Sequence, residues 1–144
     1  MNCNKETRII IAGSRNFTDY KMLVSAADTV LVELGSPVEA IEIVSGGAVG
    51  ADQLGERYAK QRGYRCMRFP ADWNKYGRRA GYLRNLQMAE HAISDNSHGV
   101  LIAFWDGESK GTGHMINIAR THGLDIHIVN YKTGGVSSEH SGRY

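Results

Sequence analysis

The chain lacks the features by which secreted and membrane proteins are usually recognised. Its two cysteines, Cys3 and Cys66, form no CxxC pair and cannot build a disulfide framework, so we expect a reducing, cytoplasmic compartment. No apolar run approaches the ~18 residues that a bilayer-crossing helix needs, and the first residues contain no signal-peptide core. We therefore expect an unexported protein with no membrane partner.

An excess of charge of one sign is also missing. Seventeen Lys and Arg residues stand against fifteen Asp and Glu residues, which gives a formal net charge of +2. This balance excludes a bulk electrostatic attraction to nucleic acid or to a membrane surface. The six histidines form no HExxH motif and no ligand-like pairing with carboxylates. We therefore predict no metal site and no cofactor.

The composition is that of a globular domain with an excess of glycine. The length of 144 residues fits one domain, and 42% hydrophobic residues suffice for one buried core. Glycine accounts for 17 of the 144 residues, or about 12%, against a background of about 7%. We assign residues 1–131 to a single domain and residues 132–144 to a polar, Gly/Ser/His-rich tail that would normally be disordered.

Short β-branched runs alternate with segments of helical periodicity from residue 8 to residue 130. The strands are predicted at 8–12, 40–44, 64–69, 98–104 and 124–130, with a loop over 70–77. The first helix is capped at 18–19 and stops at 35–37, the second is opened by 45–52 and ends near 62–63, and the others cover 78 to about 94 and 112–122. Such alternation indicates βαβ units with right-handed crossovers. The predicted fold class is α/β, an open Rossmann-like three-layer sandwich of about five parallel strands with helices on both faces.

Three glycine-rich loops follow predicted strands and therefore lie at the same edge of a parallel sheet. They are 13–15, 46–52 and 107–112, and the last two lead directly into helices. Loops of this kind let backbone N–H groups and a helix N-terminus approach an anion, most often a phosphate. Each glycine taken alone is equally explained by a tight βα turn, but three loops at one edge favour a phosphorylated ligand. None matches GxGxxG or GxxxxGK[ST].

The order of these loops resembles a known superfamily. Ile11 to Arg15, followed by 45–52, resembles the GSR and SGxAxGxD motifs of the DprA DNA-processing proteins. Arg84 to Met88, with 107–112 after the next strand, is similar to the RKxxM and PGGxGTxxE motifs of the LOG phosphoribohydrolases. These two families define the SLOG superfamily, and segments 69–73 and 104–107 resemble its small YspA-like branch. The resemblance covers about residues 8–130.

The resemblance implies a module that binds nucleotides or nucleotide-derived ligands, in many members as a homodimer or larger oligomer. LOG enzymes hydrolyse the N-glycosidic bond of nucleoside 5′-monophosphates with an Arg and a Glu. The Arg maps onto Arg84, but His114 stands where the Glu is expected. Because an oxocarbenium-like sugar calls for a carboxylate, the candidate catalytic residues are Arg84 with Asp106 or Glu108 from the same loop.

Candidate ligand contacts come from the strand-end loops and from the helix that carries Arg84. Arg15 and Arg84 would provide counter-charges, and the Ser14 and Thr112 hydroxyls would bond phosphate oxygens or cap the following helix. The complete predicted set is Gly13, Ser14, Arg15, Ser45, Gly46, Gly47, Ala48, Gly50, Ala51, Asp52, Arg84, Asn85, Trp105, Asp106, Gly107, Ser109, Gly111 and Thr112.

Several of these side chains have a second interpretation. Asp52 either interacts with the helix terminus that it follows or contacts a ribose hydroxyl and orients an arginine. Trp105 either stacks on a base or caps the core. Lys75, Arg78, Arg79 and Arg84 surround Tyr76 and Tyr82, and Trp73 precedes them, which fits a ribophosphate clamp, a strip for single-stranded nucleic acid, or a solvated helix face.

Three functions follow from these patterns. The first is a nucleotide-binding sensor or sequestering module, whose ligand is a nucleoside phosphate, a cyclic nucleotide or an ADP-ribose-type compound. The second is a LOG-like nucleotide N-glycosidase. The third is DprA-like binding of single-stranded DNA, which the small net charge and the absence of a further domain place last.

Overall fold

The computed structural model describes residues 5–140 and contains one mixed sheet flanked by helices. The strands are β1 (Thr7–Gly13), β2 (Ile41–Ser45), β3 (Arg65–Arg68), β4 (His98–Trp105), β5 (Asp125–Asn130) and β6 (Val136–Glu139). The helices are α1 (Tyr20–Leu34), α2 (Ala51–Arg62), the short α3 (Trp73–Tyr76), α4 (Ala80–Ile93) and α5 (Lys110–Thr121). The predicted Rossmann-like three-layer α/β fold is confirmed.

The six strands lie in the order β3-β2-β1-β4-β5-β6. Strands β1 to β5 are parallel, as the alternation of strands and helices predicts, and β6 pairs antiparallel with β5. From β1 the chain first builds outward through β2 and β3 and then returns to place β4 on the other side of β1. The gap between the carboxyl ends of β1 and β4 is therefore the switch point at which open α/β sheets bind ligands.

The sixth strand corrects the sequence-based expectation for the end of the chain. Residues 136–139 lie in the segment assigned to a polar tail, yet they form a hairpin with β5. The Gly134 amide donates to the Asn130 carbonyl at 2.7 Å, and the Asn130 amide donates to the Gly135 carbonyl at 2.8 Å. Because β6 is an exposed edge strand, its polar residues carry no buried pattern that would mark it as a strand.

Alternate side chains of β1 enter the two halves of the core. Ile9 and Ile11 pack with α1 and α2, whereas Ile10 and Ala12 pack with α4 and α5. All four are at most 6% exposed, because a central parallel strand is covered on both faces. The sheet thus holds the amino ends of α2 and α5 on opposite faces of the same edge.

The helix boundaries follow local sequence signals. Asp19 caps α1 by accepting a hydrogen bond from the Met22 amide at 3.0 Å, and Gly35 ends the helix in the left-handed conformation. The segment predicted as a loop over 70–77 contains α3, because the Asp72 carboxylate caps its first turn through the Lys75 amide. Within residues 5–140, no helix combines the length and the apolar character needed to cross a bilayer.

Candidate functional site

A cleft of about 410 Å³ opens at the carboxyl edge of the sheet, above the gap between β1 and β4. Its walls come from the loop after β1, the start of α2, the first half of α4 and the start of α5. Ten predicted residues line it: Gly13, Ser14, Arg15, Ala48, Asp52, Arg84, Asn85, Ser109, Gly111 and Thr112. The topology therefore brings together side chains that are as many as 99 residues apart in the chain, from Gly13 to Thr112.

A smaller cleft of about 290 Å³ adjoins the first and shares four of its residues, Arg15, Ala48, Trp73 and Arg84. It takes in Gly46 and Gly47, which the sequence also predicts as ligand contacts. Two arginines and one tryptophan thus stand at the junction of two neighbouring cavities.

Three predicted residues lie behind the loops after β1 and β2 rather than line the cleft. Ser45 is fully buried, and its Oγ accepts from the Gly47 amide at 3.0 Å. Ala51 is also fully buried. Gly50 has φ +95°, and a Cβ there would lie 2.4 Å from the Ser14 carbonyl oxygen, so only glycine lets the two loops touch.

Four predicted residues, at the end of β4 and in the loop that follows it, lie outside the cleft lining. Trp105 is half-buried, donates from Nε1 to the Ser109 carbonyl at 3.0 Å and faces Gly113, so its ring fastens the loop to α5. Gly107 and Glu108 are exposed at the loop tip. Asp106 points back to its own loop and accepts hydrogen bonds from the Glu108 and Ser109 amides at 2.9 and 2.8 Å. The hydrogen bonds from these backbone amides lower the pKa of Asp106.

Asp52 provides the carboxylate that the cleft contains. It is 4% exposed, and its Oδ2 accepts from the Ala48 amide at 3.3 Å. Burial raises its pKa from 3.8 to about 6, although Arg84 and hydrogen bonds from the Ala48 and Gly13 backbone act in the opposite direction. The carboxylate therefore occupies the amino end of α2, where the sequence predicts a phosphate.

Arg84 is held in place by the backbone and by its neighbour. Its Nη1 donates to the Gly46 carbonyl at 2.7 Å, and its Nε donates to Asn85 Oδ1 at 3.1 Å. A Cβ on Gly46 would lie 2.5 Å from Nη1 and 2.7 Å from Asp52 Oδ2, so this glycine makes room for both groups. Burial lowers the pKa of Arg84. The negative charge of Asp52 raises this pKa, and the positive charge of the nearby Arg15 lowers it further. Two guanidinium groups thus stand close together at one cleft.

Asn85 connects Arg84 to α5. Its Oδ1 accepts from Arg84, so its Nδ2 is the end that bonds the Gly111 carbonyl at 3.3 Å and His114 Nδ1 at 3.1 Å. Nδ1 of His114 must then be the unprotonated acceptor, and the ring carries its proton on Nε2. Burial lowers the pKa of His114, and the ring lies against Tyr82 at 4.4 Å between centroids. A neutral histidine therefore takes the place of the expected glutamate.

The amino end of α5 remains open toward the cleft. The first intrahelical bond runs from the Gly113 amide to the Ser109 carbonyl, and the Ser109 side chain does not cap the helix. The preceding amides of Lys110, Gly111 and Thr112 have no partner within the helix. Unlike the start of α2, this terminus is free to receive an anion.

The sequence interpretation did not assign some of the cleft residues to the site. Trp73 and Tyr82, 51% and 49% exposed, form the aromatic side of the cleft, and Met88 and Met115 form its floor. The aromatic residues were visible as members of the basic cluster around Tyr76, whereas the methionines have the helical spacing of ordinary core residues. No sequence pattern distinguishes these two methionines from core residues, and only the fold places them at the cleft. Within residues 5–140, no group of three His, Cys, Asp or Glu residues is arranged to hold a metal ion.

Comparison with known proteins supports the resemblance. A family model described as "YspA, cpYpsA-related SLOG family" matches residues 7–76, from β1 to the end of α3. The Gene 61 protein of Mycobacterium phage D29 is 32% identical over 124 residues, which are 83% of this chain and 93% of that protein. No solved structure matches the chain at a significant level. The chain therefore belongs to the YspA, cpYpsA-related SLOG family, and this membership indicates a nucleotide-related role in binding or processing.

Proposed function

We propose that the protein binds a nucleotide or nucleotide-derived ligand in the cleft between β1 and β4, as a sensor or sequestering module. The observation that carries the proposal is the pair of guanidinium groups, Arg15 and Arg84, beside the open amino end of α5. Among residues 5–140 neither arginine has a carboxylate within ion-pair distance. The buried Asp52 interacts electrostatically with Arg84, so one carboxyl faces two guanidinium groups at the cleft. The remaining positive charge favours an anionic ligand.

The proposed ligand lies with its phosphate at α5 and its base toward the aromatic wall. The amides of Gly111 and Thr112 receive the phosphate, and Arg15 and Arg84 complete its charge balance. The start of α2 is a poor phosphate site because the buried Asp52 carboxylate lies there and accepts from the Ala48 amide of the preceding loop. Trp73 and Tyr82 supply exposed rings for a base. The cleft volume of about 410 Å³ falls in the usual range for small-molecule sites.

Isothermal titration with nucleoside monophosphates, cyclic nucleotides and ADP-ribose-type compounds tests the proposal. We expect at least one class to bind, and we expect Arg15→Ala to weaken binding by about 10-fold or more, since a charged hydrogen bond contributes ~1.5 to 3 kcal/mol. Lys60→Ala, an exposed cation at the far end of α2, is the matched control. Absence of binding by every compound, or equal losses in the two variants, would refute the proposal.

A second candidate function is hydrolysis of the N-glycosidic bond of a nucleoside monophosphate. The observation that favours it is Asp52, a buried carboxyl in the cleft with its pKa raised to about 6. Such a group is suited to acid–base work or to stabilising a sugar cation near neutral pH. Asp52 replaces Asp106 and Glu108 in this hypothesis, because those two residues lie outside the cleft lining.

Release of free base from nucleoside 5′-monophosphates, followed by chromatography, tests the second function. We expect turnover to be lost in Asp52→Asn, while binding of the nucleotide persists because the amide keeps nearly the same shape. Turnover equal to that of the unaltered protein would remove Asp52 from the mechanism. Binding without any base release would leave the binding function alone.

A further inference from the structure

A chain of three side chains runs from the loop after β4 to the wall of the cleft. The Ser109 Oγ lies 3.0 Å from both Asp106 Oδ1 and Asp106 Oδ2. On its other side the same Oγ lies 3.0 Å from the Ser14 Oγ. Ser14 is 4% exposed and lines the cleft. Asp106 therefore reaches the ligand site through two hydroxyl groups, although it does not line the cleft.

The direction of the hydrogen bonds in this chain is fixed at its acidic end. An ionised carboxylate accepts hydrogen bonds and donates none, so Ser109 must give its only proton to Asp106. Backbone hydrogen bonds from Ser109 and Glu108 lower the pKa of Asp106 and keep it ionised at neutral pH. The Ser109 oxygen can then bond Ser14 only as an acceptor. Ser14 in turn gives its proton to Ser109 and turns its lone pairs away from it.

We propose that Ser14 is a hydrogen-bond acceptor, not a donor, at the cleft, and that it selects ligands carrying a ribose hydroxyl beside the phosphate. The inference rests on the proposed binding function and specifies the ligand more closely. It reverses the role that sequence reasoning gives to Ser14, because a hydroxyl without a free proton repels a phosphate oxygen. Among residues 5–140, no group donates a hydrogen bond to the Ser14 Oγ. A donor on the ligand can therefore bond this oxygen.

The position of Ser14 indicates which ligand group meets it. Ser109 is the residue before α5, so its partner Ser14 lies beside the amino end at which the phosphate is proposed to bind. In a nucleotide the group next to the phosphate is the sugar, and the only hydrogen-bond donors of the sugar are its hydroxyls. The ligand class expected is therefore a ribonucleotide or a ribose-containing derivative, in preference to its deoxy counterpart.

The test compares the four ribonucleoside 5′-monophosphates with their 2′-deoxy and 3′-deoxy forms by isothermal titration. Loss of one neutral hydrogen bond costs ~0.5 to 1.5 kcal/mol, so we expect one deoxy series to bind about 2- to 12-fold more weakly. Binding of ribose and both deoxy forms with equal affinity would overturn the inference and leave the proposed function intact. Absence of binding by every monophosphate would overturn the inference together with its ligand class.

Two variants separate this role from a merely structural one. In Asp106→Asn, Oδ1 still accepts the hydrogen bonds from the Glu108 and Ser109 backbone amides. The new side-chain NH2 group donates to the Ser109 Oγ, so Ser109 gives its own proton to Ser14. The Ser14 proton then points toward the cleft. We expect the preference for ribose to disappear in Ser14→Ala. A ribose hydroxyl can also accept, so in Asp106→Asn the Ser14 proton should bond it in the opposite direction, and the affinity for a 2′- or 3′-O-methyl ether, which only accepts, should rise relative to the ribose form at a nearly unchanged melting temperature. Glu90→Gln, the same chemical change at an exposed position on α4, should keep the preference. Retention of the ribose preference in Ser14→Ala, or an unchanged affinity ratio of the ether and ribose forms in Asp106→Asn, would refute the mechanism.

Discussion

The pH dependence of folding should report directly on the buried Asp52. Burial raises its pKa from 3.8 to about 6 in the folded protein. Between these values the folded protein binds more protons than the unfolded chain, so stability falls as pH rises. The contribution of the protonated carboxyl is fully present below about pH 4 and is lost as the pH rises through about 6. Asp52→Asn removes this titration while keeping the size of the side chain.

The magnitude follows from the difference between the two pKa values. The difference of about 2.2 between 3.8 and 6, at ~1.36 kcal/mol for each unit, corresponds to about 3 kcal/mol. We therefore expect the free energy of unfolding of Asp52→Asn, measured relative to the unaltered protein, to increase by about 3 kcal/mol between about pH 4 and pH 7. Taking this difference cancels the titration of groups that the substitution leaves unchanged.

Urea unfolding followed by circular dichroism, at several pH values and constant ionic strength, measures this difference. Glu90→Gln, which makes the same kind of change at an exposed carboxylate on α4, is the matched control. A difference for Asp52→Asn that stays constant across the range would mean that the folded carboxyl titrates normally. The reasoning from burial would then be wrong, and so would the argument that Asp52 is poised for acid–base work.

Three further predictions concern stability. Gly50→Ala should lower the melting temperature more than Gly63→Ala. Both glycines have positive φ, but a Cβ at Gly50 would lie 2.4 Å from a backbone oxygen, whereas a Cβ at Gly63 would meet open space. Equal decreases in melting temperature would contradict this. Tyr58→Phe should lower the free energy of unfolding by ~1.5 to 3 kcal/mol in urea titrations, because its buried hydroxyl donates to Asp28 at 2.6 Å; an unchanged midpoint would refute it. Deleting the chain after residue 131 should lower the melting temperature, because β6 covers an edge of β5; a fully stable truncation would contradict its structural role.

The secondary structure was predictable because most of its signals are local. The β-branched run of β1 and the helical spacing of α1, with Asp19 before it and Gly35 after it, mark both elements without any tertiary information. β6 was not predicted because the residues of this edge strand are mostly exposed and form no hydrophobic pattern. Its pairing with β5 stabilises it instead.

The site was predictable to the level of its loops but not of its individual side chains. Gly13, Gly46 and Gly107 mark strand-end turns, and parallel topology places those turns at one edge. Which side of each turn faces the cleft depends on packing. Trp105, a candidate stacking ring, lies outside the cleft lining and donates from Nε1 to the Ser109 carbonyl. Asp106 faces its own loop, where it accepts hydrogen bonds from the Glu108 and Ser109 amides.

The sequence by itself determined the fold class, the family and the sheet edge at which the candidate site is expected, because hydrophobic period, turn glycines and motif order are properties of short segments. Tertiary structure alone decided how charge and protons are arranged at that edge. Asp52 occupies the start of α2, the start of α5 stays open, and Ser14 is joined to Asp106 through Ser109. Burial and hydrogen-bond direction depend on atoms brought together from distant segments, and no local pattern in the chain encodes them.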